Sequence, residues 1–360
     1  MANTGYWTAM GTTMRIGFDV SPLTHPHPPG VRRVTEEMVG ALERRGNLDV
    51  IRLAPEPTAD LLRWRQWELP RLAARLELAG IHSPVSAFAL AGPGLRLQTV
   101  HELPWKHGVA ENAGLRHRFW AGLAGRRAAA VCVPTELVAR DLGRPRASDG
   151  GRVHVCPWAA ASVFTDKPQD GTYDEPILER YRLPDTPFLL APGAVRAKKN
   201  LAAILAGLAE LTARGGGRVQ LVITGPDTAD LRRDLGRASQ LGIGGLISTL
   251  GPLPDVDLAA LMRLADAVLV LSTSEGFGLP ALEAAACGTA VIVGVGSAPA
   301  EVLGPAAIAV DADRAASLAD AIELALGSRG SLGAGLIERA AHFSWDRAAA
   351  TVEDIWMNLS

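Results

Sequence analysis

Cysteine is scarce in this chain: Cys132, Cys156 and Cys287 are the three present among 360 residues. None stands at CxxC or metal-ligand spacing, so a disulfide framework and a zinc ribbon are both excluded, and buried thiols in a reducing cytosol are expected. No uncharged apolar run has transmembrane length and context. The Ala-rich C-terminal segments are broken by Glu, Asp and Gly, and a cytoplasmic protein is expected. Residues 1–13 lack a basic n-region and an apolar h-region, which argues against a signal peptide and for a flexible extension before Met14. No GxGxxG follows the first apolar strand, and no acidic residue comes on schedule after the second, so a dinucleotide site is not expected there. His25 and His27 have no third ligand close by, and neither a metal nor a cofactor is expected. Net charge is only −2, but it is uneven: about +6 over residues 1–167 and −8 over 168–360. A basic first half suits an anionic acceptor or a peripheral contact with the anionic inner face of a membrane, and nothing points to nucleic acid.

What is present is ordinary globular material, 48% hydrophobic and 21% charged, long enough for two domains. Met14 to Val20 reads as a strand, His25 to Gly30 as a loop, Val31 to Arg45 as a helix and Asp49 to Ala54 as a second strand. Leu61 to Leu78 reads as a helix with Trp64 and Trp67 on its apolar face. A strand is expected over Leu97 to His101, a helix over Leu115 to Arg127 and a strand over Ala128 to Pro134. A helix from Thr135 to Leu142 and a strand over Arg152 to Pro157 follow. Over Asp166 to Thr186 the periodicity fails, with at most a short helix between Tyr173 and Leu183, and a linker is expected at 166–186. The alternation then restarts with Phe188 to Ala191 and continues through Leu264. Alternating strands and helices imply parallel sheets, and two such runs imply two Rossmann-like domains, over 14–165 and 187–342. Phe343 to Ser360 reads as a capped amphipathic helix that either ends the second domain or crosses back to the first.

Between Leu271 and Val293 the chain reads LSTSEGFGLPALEAAACGTAVIV. An apolar strand runs into a glycine turn, Pro280 opens a helix and Gly288 closes it. The helix N-terminus therefore aims its dipole at the Gly276–Gly278 turn, a seat for phosphate. Glu275 precedes the helix and Glu283 lies one turn inside it. A carboxylate beside a phosphate seat suits hydroxyl donors such as those of a sugar or ribose. A second stretch, APGAVRAKKNL over 191–201, places three cations between a strand end and a helix, where a diphosphate could be met.

Glu275-Gly-Phe-Gly-Leu-Pro280 with Glu283 resembles the two-glutamate signature of retaining, nucleotide-sugar-dependent glycosyltransferases of family 4, which have the GT-B fold. The resemblance implies an α/β protein whose two Rossmann-like domains face each other across a cleft. In this reading Glu275 meets the donor sugar, Glu283 the ribose, and Gly276, Phe277, Gly278 and Leu279 form the donor turn. Lys199, just before Asn200, matches the family's diphosphate lysine. Ala194 stands where the family often has arginine, so Arg196 or Lys198 is left for the second cation. His101, in Thr-Val-His-Glu-Leu-Pro, is similar to the family's His-Asp-Leu element, with Glu102 replacing Asp, and would face the donor sugar. Gly30 matches an N-terminal glycine loop, and Gly225 and Leu253 match turns lining the nucleotide pocket. Arg32 and Arg33 could hold an anionic acceptor. Pro299-Ala-Glu301-Val302 resembles a further family element in which Glu301 is structural.

The resemblance implies transfer from a UDP- or GDP-sugar to a saccharide, lipid-linked or natural-product acceptor, with Glu275, His101 and Lys199 as the catalytic group. A UDP-sugar epimerase and a non-catalytic nucleotide-sugar-binding module are the alternatives, and an NAD-linked enzyme lacks its glycine fingerprint.

Overall fold

A computed structural model describes residues 13–359 apart from 112, 123, 169–173, 175, 185, 329 and 330. The extension expected over residues 1–13 therefore lies, except for Thr13, outside the described residues, as does Tyr173. The chain divides into two compact units: unit 1 spans Met1–Trp158 with Phe343–Ser360, and unit 2 spans Ala159–His342.

Unit 1 is a six-stranded parallel sheet in the order β2-β1-β3-β4-β5-β6. Its strands are β1 (Met14–Asp19), β2 (Leu48–Leu53), β3 (Gly80–Ser83), β4 (Leu95–Thr99), β5 (Ala130–Val133) and β6 (Val153–Val155). Its helices before the sheet ends are α1 (Ser21–Thr24), α2 (Pro29–Arg45), α3 (Leu61–Arg63), α4 (Leu69–Arg75), α5 (Leu115–Ala121) and α6 (Glu136–Leu142). Strand β3 was not expected. Its four residues, Gly-Ile-His-Ser, are all buried and show no apolar alternation, so nothing in the local pattern marks it. The helix read over Leu61 to Leu78 is broken by a π turn at Trp64–Glu68. The extra residue of such a turn rotates the helical face. Trp64 is therefore 4% exposed while Trp67 points outward at 60%, which corrects the pairing of both tryptophans on one apolar face. Pro29 rather than Val31 begins α2, so Gly30 lies in its first turn.

Unit 2 repeats the architecture in the order β12-β11-β10-β7-β8-β9, again wholly parallel. Its strands are β7 (Phe188–Ala191), β8 (Gln220–Ile223), β9 (Ile247–Thr249), β10 (Ala267–Val270), β11 (Val291–Gly294) and β12 (Ile308–Val310). Its helices are α7 (Pro176–Arg180), α8 (Leu201–Ala213), α9 (Ala229–Gln240), α10 (Asp255–Leu264), α11 (Leu279–Ala286), α12 (Ala298–Leu303), α13 (Ala315–Gly327) and α14 (Gly333–Ala341). The central strands β7, β8, β10 and β11 are buried along their whole length, as continuous Val/Leu/Ile runs in a covered parallel sheet require. Thr228 caps α9 by accepting from the Leu231 amide at 3.0 Å, and Ser297 caps α12 from Ala300 at 3.3 Å.

The last helix, α15 (Trp345–Leu359), belongs to unit 1. Ser344 caps it, accepting from the Arg347 amide at 3.1 Å. Trp356 is fully buried there, and Glu353, 4% exposed, accepts from Arg45 at the end of α2 at 2.7 Å. No helix of the described residues is long and apolar enough to cross a membrane.

Candidate functional site

In open parallel sheets ligands settle outside the carboxyl ends of the strands, where the strand order reverses. In unit 2 that point lies between β7 and β10. The chain leaves β7 through Pro192 and Gly193, the latter at φ 91°, and makes a tight turn over Ala197–Lys199. Asn200 closes that turn at φ 55°, a left-handed conformation that Asn tolerates better than most residues, and α8 begins next. The sequence Lys-Lys-Asn thus presents Lys199 at the strand's end for a backbone reason. Leaving β10, the chain passes through Leu271 to the turn before α11. Thr273 donates its amide at 2.8 Å to the Lys198 carbonyl and so ties the two turns together.

The consequence is a direct contact between the two residues on which the sequence reading most depends. Lys199 Nζ lies 2.6 Å from Glu275 Oε1, and Ser272 Oγ donates to the same oxygen at 3.0 Å. Both groups are partly covered, with side chains 24% and 15% exposed. Burial pushes the Glu275 pKa up, but Lys199, then Lys198, and the bonds from Lys199 and Ser272 outweigh it, and the pKa is held below its ordinary value. Glu275 is therefore an anion at neutral pH. One of three ammonium hydrogens of Lys199 is engaged by it, so the cation can still meet an incoming oxyanion.

Gly278 heads α11 at φ 88°, and a Cβ there would stand 2.4 Å from Pro299 Cγ. Only glycine lets α12 approach this closely, which gives Pro299 a packing role. Phe277 is buried at 1% exposure, so it serves the turn through its backbone while its ring packs inside. Glu283 is buried within α11, at 2% exposure. Two further turns follow β8 and β9. Gly193 donates to Thr224 Oγ1 at 3.2 Å, and Gly225 donates to the Gly251 carbonyl at 2.7 Å. A Cβ on Gly225 would lie 2.6 Å from the Gly193 carbonyl carbon. Leu253 follows in the half-buried turn after β9, and Arg196 and Lys198 flank Lys199 half-buried. Among the described residues no three His, Cys, Asp or Glu come together as a metal site.

Unit 1 reverses its order between β1 and β3. His101, two residues beyond β4, donates Nε2–H to the Pro84 carbonyl at 2.6 Å, and its ring packs on Trp158 at 4.9 Å between centroids. Burial lowers its pKa to about 4, against the raising effect of the Pro84 bond. The imidazole is neutral, its Nε2 proton is committed, and Nδ1 is left as an acceptor. Gly30 is exposed at the head of α2, and Arg32, also exposed, turns back to donate to the Pro22 carbonyl at 3.1 Å.

Sequence reasoning missed a buried cluster at this edge. Asp19, the last residue of β1, is fully buried and accepts from the Ser21 amide at 3.0 Å, from Trp64 Nε1 at 3.1 Å and from Arg65 Nε at 3.3 Å. Arg65 Nη2 also donates to Ser21 Oγ at 3.0 Å. The one available signal was an aspartate ending a buried strand, where a charge needs a partner.

Comparisons with known proteins bear on both units. Residues 175–343 match the family model described as Glycosyl transferases group 1. The D-inositol 3-phosphate glycosyltransferase of Xylanimonas cellulosilytica is 34% identical over 239 residues, covering 63% of this chain and 56% of the relative. The chain spans about half the length of the curated relatives it matches. The solved structure of sucrose-phosphate synthase from Thermosynechococcus elongatus superposes with a TM-score of 0.76 at 21% identity, over 96% of this chain and 99% of that one. Anabaena Alr3699/HepE in complex with UDP-glucose superposes at 0.69 with 15% identity, over 95% and 98%. At these identities the likeness establishes the fold, which is GT-B.

Proposed function

Because residues 175–343 match the family model described as Glycosyl transferases group 1, we propose that the chain moves a sugar from a UDP- or GDP-sugar to a hydroxyl of a saccharide, lipid-linked or natural-product acceptor, with retention at the anomeric carbon. The observation that carries this reading is the Lys199–Glu275 pair, 2.6 Å apart at the β7/β10 reversal and ahead of the α11 N-terminus. The bond from the anomeric carbon to the leaving phosphate oxygen breaks, and its electron pair stays on the diphosphate. Lys199, the second cation at Arg196 or Lys198, and the helix end stabilise that growing charge. They act in place of a metal. Glu275 accepts from hydroxyls of the donor sugar and supports positive charge at the sugar carbon, which is oxocarbenium-like as the bond opens. The ribose hydroxyls are assigned to Glu283, and the nucleoside to the backbone of the turns at Gly225 and Leu253. The acceptor oxygen attacks from the same face, and its proton passes to the departing phosphate oxygen. Neutral His101, through Nδ1, accepts from a hydroxyl on the sugar.

The test is a panel of UDP- and GDP-sugars incubated with the full chain, with nucleotide release measured and the anomer of any transferred sugar read by NMR. A retained configuration is expected. An inverted product would remove the same-face step. The absence of both nucleotide binding and release across the panel would remove the transferase reading.

A further inference from the structure

A cavity of about 310 Å³ opens in unit 1 at the amino ends of three neighbouring strands. Leu95 and Arg96 begin β4, Arg127 and Ala129 precede β5, and Arg152 precedes β6; all five line it. Its charged lining residues are Arg96, Arg127 and Arg152, and among the described residues no Asp or Glu lines it. His101 stands past the other end of β4. At about 3.3 Å per residue, the chain from Arg96 to His101 spans roughly 16 Å. The cavity is therefore separate from the edge at which His101 stands.

Two of the three arginines are anchored without being used up. Arg96 Nη1 donates to the Gly92 carbonyl at 2.9 Å, and Arg152 Nη1 donates to the Ala128 carbonyl at 3.3 Å. A guanidinium carries five N–H groups, so most of their donors stay unspent. Arg127 is exposed and makes no hydrogen bond or ion pair among the described residues. Arg96 Nε is covered from solvent, yet it too lacks an acceptor among the described residues, and a covered donor without one costs free energy. The Arg96 anchor is itself held in place. A Cβ on Gly94 would collide with the Ala79 carbonyl oxygen, so the glycine lets the Gly92–Gly94 bend press against the start of β3. The other edge of the same sheet end is built differently. There Arg15 of β1 is neutralised by Asp49 of β2 at 2.9 Å. Arg96, Arg127 and Arg152 have no such counter-charge among the described residues.

From this cavity and its charges we propose a second ligand site, in which Arg96, Arg127 and Arg152 bind a compact anion with two or more linked phosphates. A guanidinium only donates, and its planar fork meets two phosphate oxygens at once. A single phosphate carries about −1.5 to −2 at neutral pH, so three cations match linked phosphates better than one. A volume near the lower bound of small-molecule pockets suits a small ion, not a polymer. The excess of basic residues in the first half of the chain gains a local purpose here. No residue assigned to sugar transfer lines the cavity, so its ligand is an effector and not a reactant. The linked phosphates are either inorganic or carried by a nucleoside, and the experiment separates the two.

The full chain is titrated calorimetrically with sodium pyrophosphate, with ADP and with orthophosphate, at about 0.15 M salt, where loose surface attraction is screened beyond about 8 Å. Because a diphosphate can also meet Lys199, the titrations are made on Lys199→Met/Glu275→Gln. That chain should bind pyrophosphate or ADP at least about 10-fold more tightly than orthophosphate, and the ligand that responds names the source. Adding Arg127→Gln/Arg152→Gln should weaken that ligand at least about 10-fold, the lower worth of a charge-assisted bond. Arg127→Gln alone, at an exposed residue with no partner to lose, should act in the same direction should the combined variant fail to fold. Arg44→Gln removes one charge from an exposed arginine of α2 outside the cavity and should change nothing. Three results overturn the proposal: no preference for either diphosphate over orthophosphate, a preference that survives the loss of the cavity arginines, or an equal fall in Arg44→Gln and Arg127→Gln. No outcome depends on sugar transfer, so the result stands whatever becomes of the transferase reading.

Discussion

The sheet of unit 2 reverses its strand order between β7 and β10, and that of unit 1 between β1 and β3. Each reversal brings a cation onto a carboxylate: Lys199 with Glu275 at 2.6 Å, and Arg65 with Asp19 at 3.3 Å. The pairs differ in what their carboxylates are free to do. Glu275 keeps 15% of its side chain exposed and accepts from Lys199 and Ser272 on a single oxygen. Asp19 is wholly buried and takes three donors on both oxygens. In unit 2 both members of the pair keep part of their side chains exposed, as the proposed donor site requires. In unit 1 the acid is consumed in fixing the base. One sheet plan thus yields two differently committed ion pairs, set by how many local donors reach the carboxylate.

That contrast can be broken at several points. The largest effect is expected for Trp356→Ala in α15, fully buried in unit 1, at about 3–5 kcal/mol. Urea unfolding should show the loss while nucleotide affinity stays at the wild-type value under native conditions. A matching fall in nucleotide affinity would mean that the two sites are not independent. Gly278→Ala should cost about 1–3 kcal/mol, through left-handed backbone strain and the clash with Pro299, and should weaken nucleotide binding. Gly108→Ala, at φ 70° with nothing within 4 Å of its Cβ, is the strain-only control in unit 1 and should cost less. If the two variants are equal, the α12 contact does not matter.

A smaller effect separates the units by pH. Burial lowers His82 to about 3 and His101 to about 4. The unfolded chain protonates these groups as pH falls through about 6.5 and the folded chain does not. Stability should therefore fall with pH below that point, by up to about 1.4 kcal/mol per pH unit for each group, and recover as pH rises. Glu275, held below its ordinary value, acts in the same direction but in a lower window. Its contribution is present above the ordinary carboxylate range and is lost only as pH drops through its folded pKa. Between pH 6.5 and 5 unit 1 should weaken and unit 2 should not. Hydrogen exchange on each unit at the two pH values would show it.

The same contrast governs what the sequence revealed. Unit 2 was legible because its signals are local. Pro280 and Gly288 punctuate α11, Asn200 ends the lysine turn in a conformation few other residues accept, and the strands Phe188–Ala191 and Ala267–Val270 are unbroken apolar runs. The pairing of Lys199 with Glu275 spans 76 positions, but each partner lies in a turn marked by its neighbours. In unit 1 the decisive groups carry no such marks. Arg65 lies 46 positions from Asp19 in a run that reads as a plain helix, and the π turn that swings it inward has no sequence signature. Strand β3 is four buried residues without alternation, so the reversal it creates was invisible. His101 could be placed after a strand, but its donor nitrogen is taken by Pro84, a contact between separate segments that only the fold supplies.

The central claim is that the Lys199–Glu275 pair holds the diphosphate and sugar of a nucleotide donor. Its most direct test is the affinity of UDP and GDP for wild type and for Lys199→Met/Glu275→Gln, a variant that removes both charges without leaving a lone buried ion. The account predicts a loss of about 10- to 100-fold for whichever nucleotide wild type binds, the range of a charge-assisted contact worth about 1.5–3 kcal/mol. Unchanged affinity in a folded variant would contradict it.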